Sequence, residues 1–346
     1  MTRFDTTSYF DARAPRYQAA LRQCPSARVL DLLPYTGALR AAHLDVRSDI
    51  LVCDAFGGTG FLARALRHSG FKFVVCDASH EMLAGVAGEE NVKTHLTPDD
   101  FQSALQAFGS QSFDLVVCHG GLHHVVEAQG HEVDRDASRL RQQLVVSRLA
   151  RLVAPRGVLI IADIPNEPPA EIIGQVQASM LDYAYLCSLL GEHSMELVVQ
   201  ALDLGKSERY SVDSVCRRIM SRLSSSVDFP VPRWFFDEFV ANSPMGHVAA
   251  YPDFDQIDEV AISVGLRSLG RINYAGPWLF QSAEEAGWFF REKFSVGRAS
   301  KLGDDPNSEQ DMYEILRRCL GVRQARQIVA VNWGVTYAVY SWGVPS

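Results

Sequence analysis

Short apolar runs alternate with helix-spaced segments along the first 165 residues. Ile50–Cys53, Lys72–Cys76, Asn91–Leu96, Phe113–Cys118 and Val158–Ala162 are short and nearly continuous in apolar character, as strands buried on both faces are. Between them Phe61–His68, Glu81–Ala87, Phe101–Phe108 and Leu140–Val153 carry the spacing of helices. This alternation predicts a parallel sheet covered by helices, with ligands bound at the carboxyl ends of its strands.

The pattern breaks at Glu167-Pro168-Pro169 and resumes only near residue 251. Between the two lie Ala170–Leu190 and Ser211–Leu223, both of helical spacing, and an aromatic cluster that opens with Trp234. Asp255–Leu266 then predicts a helix, Gly270–Phe280 a strand and Ala283–Phe294 a helix. In Gln327–Trp342, Val329, Val331, Trp333, Val335, Tyr337 and Val339 fall on one side, which predicts a closing antiparallel strand. Residues 1–165 and 251–346 are therefore expected to build one α/β domain, with 166–250 inserted as a helical lid.

Composition narrows the function. Hydrophobic residues make up 47 % of 346 positions and charged residues 21 %, enough for a sizeable core and unlike a disordered chain. The net charge of −8 argues against a protein that grips phosphate backbones. The longest apolar runs are strand-length, well short of the ~20 residues of a membrane helix, and the first residues lack the apolar core of a signal peptide. Seven cysteines without C-x-x-C spacing point to a reduced cytoplasm rather than to disulfides or a cysteine metal site. The expected partner is a small-molecule substrate, with no nucleic acid, no membrane and a homodimer left open.

The richest strand end is Leu51–Ala63. Asp54 closes the strand, Gly57, Gly58 and Gly60 follow, and a helix begins at Phe61. Gly58 and Gly60 allow a tight turn and close approach of a ligand. Asp77 ends the next strand where a carboxylate can accept both ribose hydroxyls of an adenosine. Arg28–Gly37 offers a competing register, because Asp31, Asp54 and Asp77 are evenly spaced. Its turn has one glycine and Pro34-Tyr35 would crowd a ligand, so the later register is preferred.

These stretches resemble the class I S-adenosylmethionine (SAM)-dependent methyltransferases. Asp54-Ala55-Phe56-Gly57-Gly58-Thr59-Gly60 is similar to the family's D-x-G-x-G-T-G loop, and Asp77-Ala78-Ser79-His80-Glu81-Met82-Leu83 to its ribose-binding acid and S-x-x-M-L. Phe113–Val125, ending in Leu122-His123-His124-Val125, resembles the fourth strand and its L-H-H-V. Leu152–Ile161 resembles the L-x-P-G-G-x-L turn into strand five, and Tyr9–Tyr17 the leading helix. The resemblance implies a Rossmann-like, seven-stranded, mostly parallel sheet with helices on both faces and the lid between strands five and six.

It also implies SAM as cofactor. Asp54, Gly58 and Gly60 would hold the methionine portion, and Asp77, with Ala78 beside it, the ribose. Met82 would pack on the adenine, with Asp99 or Asp100 near its amino group, and His119 would face the transferred methyl. Phe56 departs from the pattern by replacing the first loop glycine, which would set an aromatic ring near a sulfonium.

Other readings stay open. Gly58-x-Gly60-x-x-Ala63 also satisfies the dinucleotide fingerprint, although Asp54 before the turn is unexpected there. His119, His123, His124 and His131 raise a metal site, but no carboxylate has ligand spacing with them, so no metal is expected. The favoured activity is in-line methyl transfer to a small-molecule acceptor, with His119 or His124 as candidate base and Asn166, Tyr183, Tyr185 and Trp234 as candidate substrate contacts. The same cofactor could instead lose its 3-amino-3-carboxypropyl arm, releasing methylthioadenosine, or be bound without catalysis.

Overall fold

The computed structural model describes residues 4–45, 47, 49–98, 100–166, 185–186, 189–190, 235–236, 240, 246–295, 309–325 and 328–342. Most of the expected lid, including Tyr183 and Trp234, and also Asp99, lies outside them.

Helix α1 (Thr6–Gln23) opens the chain, followed by a 3-10 turn (Val29–Leu32) and α2 (Leu33–Ala41). The competing stretch Arg28–Gly37 is thus neither strand nor loop. Next come β1 (Leu51–Ala55), α3 (Phe61–Ala65), β2 (Lys72–Asp77), α4 (His80–Ala84), β3 (Val92–Leu96), α5 (Gln102–Phe108) and β4 (Phe113–His119). A small hairpin absent from the sequence expectations, β5 (Glu127–Gln129) with β6 (Glu132–Asp134), leads into α6 (Arg135–Leu152) and β7 (Val153–Asp163). The chain continues through α7 (Phe254–Ser263), β8 (Leu266–Phe280), α8 (Ala283–Lys293), α9 (Glu309–Cys319), β9 (Val322–Ala325) and β10 (Ile328–Trp342). Side-chain oxygens mark several helix starts: Asp5 caps α1, Ser79 α4, Asp134 α6 and Asp253 α7.

The main sheet runs β3-β2-β1-β4-β7-β10-β8, with β9 on β10. The pairs β1–β2, β2–β3, β1–β4 and β4–β7 are parallel. Strand β10 lies antiparallel to both β7 and β8. The order reverses between β1 and β4, so their carboxyl ends flank a crevice that the connections leave open.

The two-residue period of each strand sorts side chains into two cores. Val52, Leu115, Val117, Val158, Ile160 and Ala162 join one, while Cys53, Ala55, Val116, Cys118, Leu159 and Ile161 join the other. The edge strand β3 differs from expectation: Lys93, Thr94 and Leu96 are exposed, because it has a strand partner on one side only. In β10 the predicted Val329-to-Val339 stripe faces the first core, and Ala338 and Tyr340 face the second. Among the described residues no helix is long and apolar enough to cross a membrane, and the described cysteines are free thiols.

Candidate active site

Four strand ends supply the site: Asp54 from β1, Asp77 from β2, His119 from β4 and Asp163 from β7, all lining one cleft. The loop after β1 turns sharply. Gly60 has φ 74°, and a Cβ on it would meet Val86 Cγ2 at 2.3 Å, so only glycine fits. Phe56 also lies in the left-handed region, at φ 56°, at the position where the motif it resembles has glycine. Its ring rests edge-on against Phe101, centroids 4.7 Å apart, and against Gly121.

Asp77 accepts hydrogen bonds from Gly58 N and Ser79 N, both at 2.9 Å, which ties the loop to the end of β2. Burial pushes its carboxyl up to about 6 despite those bonds. Asp54 is buried deeper, and its Oδ2 has no hydrogen-bond partner. Burial, reinforced by Asp77, pushes it up to about 7. An orphaned buried carboxylate oxygen facing a cleft is suited to a cationic ligand.

Ser79 caps α4 by accepting from Met82 N at 3.0 Å, and Ala78 and Met82 both line the cleft. Asp100 does not line it. Its carboxylate accepts from Gln102 N and pairs with Arg148 at 2.9 Å, which turns it away from the expected adenine contact.

His119 lines the cleft with both ring nitrogens engaged. Arg28 Nη2 lies 3.1 Å from Nε2, and Tyr35 Oη lies 2.7 Å from Nδ1. A guanidinium only donates, so Nε2 accepts and the proton sits on Nδ1, donated to Tyr35. Burial, then the positive charges of Arg28 and Lys293, hold the imidazole well below its ordinary pKa. A ring so held positions the cleft wall and has no lone pair for a substrate proton. In this arrangement both ring nitrogens of His119, one of the expected candidate bases, are already engaged within the protein.

Behind it lies a buried charge network. Arg28 pairs with Asp31 at 2.9 Å, and Trp278 Nε1 donates to both Asp31 oxygens, at 3.0 and 3.2 Å. Lys293 donates to Tyr17 Oη at 2.5 Å, and burial, with Arg28 nearby, drives its amine well down. Arg28, Lys293 and Tyr17 line the cleft beside Asp54.

The far end of the cleft is walled by histidines. His123 Nδ1 lies 2.6 Å from Asp163 Oδ1, and Asp163 Oδ2 accepts from His123 N at 3.1 Å. His124 Nδ1 donates to Val248 O at 3.3 Å. His247 stacks on Phe236, centroids 4.2 Å apart. Burial, with mutual repulsion from His123, holds both His124 and His247 well below the ordinary histidine value. Residues 246–250 are pinned here because Ala250 N bonds His123 O and Gln142 Nε2 bonds Ala250 O.

Of the expected substrate contacts, Asn166 bonds Pro252 O through its backbone, and Tyr185 lies under the Arg40 guanidinium; neither lines the cleft. Arg28, Lys293, Asp163 and His247 line the cleft and are passed over by motif reading. Asp163 alone carries a signal, an acid at the carboxyl end of a central strand.

Residues 54–161 match the family model described as a methyltransferase domain. No curated protein sequence matches the chain. Among solved structures, a chain of the complex between the Haloferax volcanii Trm112 methyltransferase activator and a methyltransferase aligns over 97 % of this chain and 98 % of its own, at 14 % identity and TM-score 0.43. The Haemonchus contortus phosphoethanolamine N-methyltransferase 2 aligns over 99 % and 61 %, at 12 % identity and TM-score 0.44. The [4+2]-cyclase SpnF aligns over 88 % and 82 %, at 10 % identity and TM-score 0.42. Scores this low carry no weight beside the strand order and the family match. What stands is that residues 54–161 match a methyltransferase domain and that the strand order is Rossmann-like.

Proposed function

We propose that the protein transfers the methyl group of SAM to a small-molecule acceptor held at the histidine end of the cleft. The observation that carries this reading is the polarity of one continuous cleft. A cation-seeking carboxylate, Asp54, stands at one end and neutral imidazoles stand at the other.

The residues present fit the cofactor. Asp54 would take its ammonium, Arg28 and Lys293 its carboxylate, Asp77 its ribose and Met82 its adenine. When bound, SAM supplies a methyl carbon made electrophilic by the sulfonium. The chain's own contribution is then chiefly placement, which can supply several kcal/mol. His119, fixed by Arg28 and Tyr35, shapes the wall between the two ends. His124, kept neutral by burial, stands on the acceptor side and takes the role of candidate base. Residues 166–250 would form the acceptor-selecting insertion, and the protein would work in the reducing cytoplasm.

The test is incubation of the purified full chain with SAM, with and without a panel of thiols, phenols and amines. Adenosylhomocysteine formed only with an acceptor is the expected result. Methylthioadenosine formed without any acceptor, or no binding of SAM, would overturn the reading.

A further inference from the structure

We propose that His123, His124 and His247 form a binding site for one divalent transition-metal ion whose open coordination positions face the acceptor end of the cleft. One ring nitrogen from each histidine lies within 4.8 Å of the other two. Nitrogens bound to one tetrahedral zinc at about 2.0–2.1 Å would stand roughly 3.4 Å apart. With His123 held by Asp163, rotation of the His124 and His247 rings would have to close that gap.

Neighbouring groups have already chosen the tautomers. The Asp163 carboxylate accepts from Nδ1–H of His123, and the Val248 carbonyl accepts from Nδ1–H of His124. In each ring this leaves Nε2 with the lone pair, which in His124 would then bind the ion in place of a substrate proton, so that with the metal bound His124 is a ligand and not the base. His123 Nε2 and His247 Nε2 are both buried without a hydrogen-bond partner. Histidines that merely fill space normally have such atoms satisfied. Two unpartnered buried ring nitrogens in one cluster are what a metal ion would satisfy.

Asp163 completes the arrangement. Its two oxygens accept from His123 Nδ1, His123 N and Ile164 N, so the ring is locked in position. A carboxylate behind a ligating imidazole is the usual support of a metal-bound histidine, fixing its orientation and raising its basicity. All-imidazole ligation suits zinc, iron, copper or nickel rather than magnesium or calcium.

The surrounding charge indicates what would fill the open positions. Arg13 stands beside the cluster, donating to Gly246 O at 2.6 Å, and Asp163 supplies one negative charge. A dication added to this pair leaves net positive charge at the cleft. An acceptor that ligates as an anion, such as a thiolate or phenolate, would neutralise it. This last step rests on the methyltransferase reading; the ion itself does not.

The ion is tested on tag-free full-length protein stripped with chelator and titrated with Co²⁺, read by its visible spectrum, with Zn²⁺ as competitor. One equivalent should bind at micromolar affinity or better. His123→Ala and His247→Ala should each weaken binding at least 100-fold, and Asp163→Asn by about 10–100-fold. His131→Ala, on the exposed hairpin, should leave it unchanged. His247→Gln and His124→Gln, on separate segments, are paired with SAM-affinity measurements, so that a folding defect shows as lost cofactor binding. Absence of saturable one-to-one Co²⁺ binding while SAM still binds, or binding indifferent to both His123 and His247, sinks the metal site alone. Failure of SAM to bind sinks the methyltransferase reading, whatever the metal does.

Discussion

Gly121 is a glycine because Phe56 is a phenylalanine: a Cβ at position 121 would meet Phe56 Cβ at 2.3 Å and Cγ at 2.7 Å. The two lie at the switch between β1 and β4, where the cleft begins. Gly121 has a negative φ, so its constraint is purely one of space. Gly121→Ala should therefore cost about 1–3 kcal/mol through overpacking. In a Phe56→Gly background, which removes both the clash and a residue at positive φ, the same change should be nearly free. Urea unfolding of the four proteins closes the cycle, and additive costs would refute the coupling.

Asp54 predicts a pH-dependent affinity. Its carboxyl titrates at about 7 in the folded protein and near 3.8 when exposed. The cationic cofactor needs it ionised, so SAM affinity should fall about tenfold per pH unit below 7 and level off above it. Stability of the cofactor-free protein should run the other way. With the folded pKa raised, its contribution is present at low pH and is lost between about pH 4 and 7, by at most about 1.4 kcal/mol per unit. Asp77, pushed up to about 6, adds to the same trend. Calorimetric titration and thermal melting of wild type and Asp54→Asn check both; the substitution should flatten them.

Removal of Arg28 leaves Asp31 as a buried, unpaired carboxylate, only 1 % exposed. Arg28→Ala should destabilise the fold by about 3–5 kcal/mol at neutral pH. Burial already pushes the Asp31 carboxyl up, against the pull of Arg28 and Trp278. Without Arg28 it rises further, so the deficit should shrink as pH falls and Asp31 protonates. Denaturant melts at pH 5 and pH 8 measure this; an equal loss at both would contradict it.

His119→Ala should lower stability by about 1–3 kcal/mol, because Tyr35 and Arg28 each lose a buried partner. It should leave the shape of the pH–rate profile intact, since neither ring nitrogen is available to a substrate. Loss of an ionisation between pH 6 and 9 would return His119 to the role of base.

The glycine-loop end of this cleft is legible in the sequence because local rules dictate it. An acid at a strand end, glycines in a tight turn and a capping Ser79 are set by neighbours in the chain, so Asp54, Gly58, Gly60 and Asp77 can be placed by spacing. The closing strand β10 is equally readable from its alternation. The acceptor end is not. His247 reaches His123 only because the turn after β4 and the 246–250 segment meet there, and no periodicity links two such distant positions. His119 misleads for a related reason: its partners, Arg28 and Tyr35, come from a 3-10 turn and helix whose sequence resembles a strand and turn. Lys293 is hidden for the opposite reason, as it ends an ordinary amphipathic helix and nothing local says its amine is buried.

Strand β10 pairs with β7 on one side and β8 on the other, and among the described residues β8 has no other strand partner. During synthesis β7 leaves the ribosome long before β10, and β8 also precedes it. Until residues 328–342 emerge, the nascent sheet therefore ends in an unpaired β7 edge, with β8 detached from it. Such an edge invites misplaced pairing, so a translation pause or a stop upstream of residue 328 would yield a chain that has its SAM loop complete and yet is prone to aggregate.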